Sequence, residues 1–211
     1  MLPGGVKLGA RKETVMFHFA RYAAVCVLAA GVGASACAAL GRAALDDLTF
    51  SSAAVVDLKD QANIVWLSKQ ARPSRPMAAL SFSARTDLTA FAHQHEYNFS
   101  NVVTVCNQGK IDETKELQND AYVYDDDGTV DAYQKKEAPG AQPKTYHVYV
   151  YLKPIALAGK TDAFAYDLQH RPEELCIQLQ GGNMLGSQFS SNVLVVPKEA
   201  IASAISRAGL P

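Results

Sequence analysis

Between residues 78 and 196 the chain repeatedly alternates apolar and polar residues with a period of two, and turn residues separate the runs. A period of two places successive side chains on opposite faces of a strand, so these runs must form sheets with one covered face. Ala78, Leu80, Phe82 and Ala84 make one apolar face, with Ser81, Ser83 and Arg85 opposite. Tyr97, Phe99, Val103 and Val105 share a parity, as do Tyr146, Val148, Val150 and Leu152. Leu175, Ile177 and Leu179 alternate with Cys176 and Gln178. The unbroken apolar run 193–196 reads as a strand covered on both faces. Asp127-Gly128 predicts a hairpin turn, and 137–143 and 181–187 are further breaks. Segment 57–70 fits a strand or a buried helix equally.

Two helices are expected. Thr86 is placed to cap a short one with Leu88, Phe91, Ala92 and His95 on one stripe. Pro197 suits the first turn of another, with Ile201, Ala204, Ile205 and Ala208 at helical spacing and Gly209 as its stop. Many short strands with few helices predict a mainly β fold. It is an antiparallel β-sandwich or an open barrel, with a C-terminal helix and one other short helix. The 48% hydrophobic and 19% charged content agrees with a globular domain.

Residues 22–40 read YAAVCVLAAGVGASACAAL without a charge, behind Lys7, Arg11, Lys12 and Arg21. A basic head, a short apolar run and then small residues are the parts of a secretory signal. Met16 offers a second start, from which Arg21 alone supplies the head. Ala34, Ser35, Ala36 and Cys37 resemble the bacterial lipobox, in which small residues precede a Cys that becomes lipidated and N-terminal. The resemblance covers these four residues and departs at Ala34, where Leu is most frequent. It implies a lipoprotein lipidated at Cys37, membrane-anchored and facing the periplasm or the cell surface. Plain cleavage after Ala36 or Ala38, giving a soluble periplasmic or secreted protein, is the alternative, and an uncleaved anchor is a third. The organisation expected is a signal segment over 1–36, a tether over 37–50 and a single β-rich domain over 51–211.

Loss of residues 1–36 takes four cationic side chains and one carboxylate away, from 20 and 21 to 16 and 20, a net of −4. Neither that balance nor the −1 of the whole chain supplies the basic face that nucleic acid requires. Cys26 is discarded with the signal. In an oxidising compartment Cys106 and Cys176, both in strand-like runs, are expected to form a disulfide.

Candidate chemistry is sparse. Asp125, Asp127 and Asp131 surround Gly128 and could offer oxygens to Ca²⁺, but the spacing fails the EF-hand pattern, and a solvated hairpin tip is the simpler reading. His93 and His95 would share a face on a strand but point apart on a helix, and further metal ligands are not evident. His147 and His170 could form an acid–base site with loop carboxylates. Tyr133, Tyr149 and Tyr151, with His147, fall on faces the alternation assigns to solvent, where tyrosines make large rigid contacts to another envelope protein or a glycan. If a second layer covers that face they are core instead. Nucleophile motifs and dinucleotide or phosphate loops are absent, and no cofactor is expected. The reading is an envelope lipoprotein with a binding or structural domain; the alternatives are a secreted hydrolase and a small-ligand or metal carrier.

Overall fold

The computed structural model describes residues 43–60, 74–126, 128–130, 144–155 and 164–210. They all belong to the compact unit Ala39–Pro211. Cys37, most of segment 57–70, Asp127, Asp131, Tyr133 and the loop 137–143 lie outside the described residues.

The strands are β1 (Ala43–Leu45), β2 (Thr49–Asp57), β3 (Pro76–Ala84), β4 (Asn98–Val105), β5 (Tyr124–Asp125), β6 (Gly128–Thr129), β7 (Lys144–Tyr151), β8 (Leu175–Gly182), β9 (Gln188–Ser191) and β10 (Leu194–Val196). The helices are α1 (Leu88–His95) and α2 (Lys198–Arg207). One sheet runs β2-β3-β7-β5-β6; the other is centred on β8, which pairs with β4, β9 and β10, and β1 extends it beyond β9. The pairings are antiparallel except β1 with β9. The mainly β, two-sheet fold with a C-terminal helix and one short helix is the one the alternation predicts.

The two sheets meet through the predicted apolar faces. Ala78, Leu80 and Phe82 of β3 stand opposite Val150, Val148 and Tyr146 of β7. They share one core with Phe99, Val103, Leu175, Ile177 and Leu179 of the other sheet. Each such Leu, Ile, Val or Phe contributes about 1.5–3 kcal/mol over its exposed state. α2 adds Ile201, Ala204 and Ile205 to this core, packs against β2, and fixes its end by donating from Arg207 Nη2 to Ala53 O at 3.0 Å. Ala208, expected on the same stripe, is exposed. The stripe ends there because Gly209, at φ 64°, turns the chain out of the helix.

Several local expectations shift. Residues 43–50, expected within the tether, instead enter the sheets as β1 and the start of β2, because Leu45 and Leu48 find core positions. Asp87, not Thr86, caps α1: its Oδ1 accepts from Thr89 N and Ala90 N, while Thr86 is engaged by Asp47. The β5–β6 hairpin closes at Asp125 opposite Gly128, so Gly128 (φ 134°) begins the return strand rather than centring the turn. The run 193–196 is not covered on both faces, since Val195 is 36% exposed. At Gly181 and Gly182 close approach excludes a side chain: an added Cβ would run into Asn98 O and the Phe189 ring at the first and would meet Ser187 O at 2.9 Å at the second.

Candidate functional site

The second face of the β3–β7 pair, turned away from the main core, gathers the groups with unusual chemistry. Cross-strand neighbours there are Met77 with Tyr151, Ala79 with Tyr149, and Ser81 with His147, and β5 adds Tyr124 opposite His147. For Tyr149 and Tyr151 the alternation leaves two readings, solvent-facing contacts or core, and the structure gives core: they are only 4% and 5% exposed. With Met77, Ala79 and Tyr124 they form a second apolar cluster, flanked by Val56 and Ile155. The physical reason lies at the edge of β7, where the chain 117–120 pairs in the plane of the sheet: Tyr151 N donates to Gln118 O and Asp120 N donates to Tyr149 O, which sets Gln118 and Asp120 beside the two tyrosines. The Gln118 side chain holds the backbone of Ile155 at both its N–H and its carbonyl.

Asp120 is delivered to this cluster by the same segment. It is 6% exposed, and its Oδ1 accepts from Tyr122 N at 3.4 Å. Burial pushes its carboxyl up to about 7, opposed by the Tyr124 hydroxyl and by the Tyr122 N–H. The Tyr124 hydroxyl is close enough to be felt, but no aligned hydrogen bond joins the two: among the described residues Asp120 Oδ2, Tyr124 OH and Tyr151 OH are buried and find no hydrogen-bond partner. Burial first, then the Asp120 charge, raises both phenols, Tyr151 to about 12. A carboxyl held protonated among phenols in this way can donate a hydrogen bond at near-neutral pH, which an ordinary aspartate cannot.

At the polar end of the same face, Ser81 Oγ and His147 Nδ1 are 3.0 Å apart. Burial holds the His147 imidazolium below the usual range against the opposing pull of Asp126 and Asp125. A neutral imidazole beside a hydroxyl is able to take its proton. His170 is elsewhere, paired through Nδ1 with Asp167 Oδ2 at 2.8 Å on an exposed loop that also holds Lys153.

The other expected groups part company. Asp125 is buried, and its Oδ2 accepts from Thr89 Oγ1 of α1 at 3.4 Å, tying the hairpin to the helix rather than presenting an oxygen at a solvated tip. Among the described residues no three His, Cys, Asp or Glu side chains are grouped to hold a metal ion. His93 and His95 lie on α1 two residues apart; His93 is exposed, while His95 stacks on Tyr97. Cys106 and Cys176 are bridged, with Cα atoms 5.0 Å apart. The bridge is diagonal: Thr104 is the cross-strand partner of Cys176, and Cys106 N donates to Glu174 O just beyond the ladder. No protein-family model, curated protein or solved structure matches this chain.

Sequence reasoning missed Ser81 and Asp120. Ser81 was visible only as one polar position of an alternating strand. Asp120 sits in a polar stretch, QNDAY, with nothing to mark it as buried.

Proposed function

We propose that this chain is an exported, lipid-anchored cell-envelope protein whose β-sandwich domain binds a partner, another envelope protein or a glycan, or serves a structural role. The observation that carries the reading is the Cys106–Cys176 bridge, because such bridges form and persist in oxidising compartments. The charge-free segment 22–40 behind a basic head supplies the route out of the cytosol. Cys37, after Ala34-Ser35-Ala36, is the residue that would carry the lipid. The protein would then face the periplasm or the cell surface. Palmitate labelling tests this: label is expected in the wild type and absent from Cys37→Ser, and an unlabelled wild type removes the anchor.

One observation favours a second reading, a secreted hydrolase. Ser81 and His147 are in contact on the sheet face, so Ser81 Oγ could attack an acyl carbon while its proton passes to His147 and on to the leaving group. A serine-reactive fluorophosphonate is then expected to label the wild type, with loss of fluoride, but neither Ser81→Ala nor His147→Ala. An unlabelled wild type eliminates this reading.

A further inference from the structure

β1 and β9 pair in parallel, with Ala43 opposite Phe189, so both strands are entered from the same end of the sheet. β9 is entered from the turn 183–187, and that turn carries Met184 and Leu185 at 95% and 86% exposure. A loose turn would fold two such side chains against the domain. This turn is fixed so that they stand out. Asn183 Oδ1 accepts from Leu185 N and Ser187 N, Gly186 N donates to Asn183 O, and Asn183 Nδ2 donates to His95 O of α1. Tyr97 OH and Ser187 Oγ are bonded at 2.6 Å. Behind the turn, the rings of Phe91, His95, Tyr97 and Phe189 pack on one another.

The occupant follows from where the chain arrives. Five residues lie between Cys37 and Ala43, and the six residue steps reach at most about 22 Å when fully extended. A lipid on Cys37 therefore keeps the end of the sheet that bears Met184 and Leu185 near the bilayer. We propose that Met184 and Leu185 dip into the lipid surface as a second, shallow contact that orients the domain with this end toward the membrane. The inference rests on the lipoprotein reading above. The exported chain's net −4 offers no attraction to anionic headgroups, so the contact is apolar and insensitive to salt.

The test uses full-length protein, processed in a bacterial host and reconstituted into vesicles of phosphatidylcholine with brominated acyl chains. Trp66 is the single tryptophan. In a Trp66→Phe background, Leu185→Trp is expected to lose about half of its emission or more to the bromines. Arg171→Trp, beyond the Leu175 end of β8 and roughly 25 Å away along that strand, is expected to keep its emission. Equal emission from the two variants overturns the inference and leaves the lipid anchor standing. A protein without an acyl group that fails to float with the vesicles brings down both. In the unsubstituted protein, the amides of 184–187 are expected to exchange more slowly on vesicles than in Cys37→Ser free in solution. Unchanged exchange there overturns the inference as well.

Discussion

Reduction of the Cys106–Cys176 bridge is expected to lower the thermal midpoint by roughly 8–16 °C, on the scale of 2–4 °C per kcal/mol for a domain of this size. The bridge spans 70 residues of sequence, and closing a loop of that length removes chain entropy from the unfolded state, about 4 kcal/mol in the chain-entropy model. The effect acts on the unfolded chain because the native state already holds the two segments together. β4 and β8 pair along eight residues, Asn98–Val105 against Gly182–Leu175, with or without the bridge. Calorimetry of the wild type with and without a thiol reductant reads it, and the double variant Cys106→Ala/Cys176→Ala is expected to match the reduced protein. A midpoint that ignores reductant would show that the bridge does not constrain the unfolded chain.

Asp120→Asn is expected to stabilise the domain above pH 7 and to leave it nearly unchanged at pH 4. The carboxyl is pushed up to about 7 in the folded state, from an ordinary value of 3.8. Between those values the unfolded chain releases its proton while the folded chain keeps it. Stability therefore falls as pH rises from about 4 to about 7, and the loss is complete above 7. A carboxyl moved that far costs the folded state about 4 kcal/mol once ionised, an upper bound because water entry relieves part of it. Asn keeps an acceptor for the Tyr122 N–H and a donor toward the phenols but has no charge to bury. The groups facing Asp120 are Tyr122, Tyr124 and Tyr151, and Arg75 bears on Tyr151 from β3's leading end. His147 works in the opposite sense, since its depressed value makes stability fall as pH drops below about 6.5. The difference between wild type and Asp120→Asn isolates the carboxyl. Urea denaturation from pH 4 to pH 8 measures it, and a difference that stays flat across this range contradicts the assignment.

The main core was readable because period-two alternation fixes which residues share a face. Phe82, Tyr146 and Ile177 were placed correctly by parity alone. Parity does not state whether the opposite face is covered, which is why Tyr149 and Tyr151 came out buried. Among their neighbours is the segment around Gln118 and Asp120, which pairs with the edge of β7 although its polar composition reads as surface. Turn position was less legible than turn existence: Gly128 has the conformational freedom expected of it, but the strand pairing moved it one place along the hairpin.

The order of residues by itself determined the strand faces, the C-terminal helix and the pairing of the two domain cysteines, since all three depend on local periodicity or on a partner count of two. Only the tertiary structure decided that Ser81 meets His147, that Asp120 loses its water among phenols, and that Met184 and Leu185 share an end with the arriving chain. Those facts depend on which strands lie side by side, and strand order is set by long-range packing that leaves no trace in local pattern.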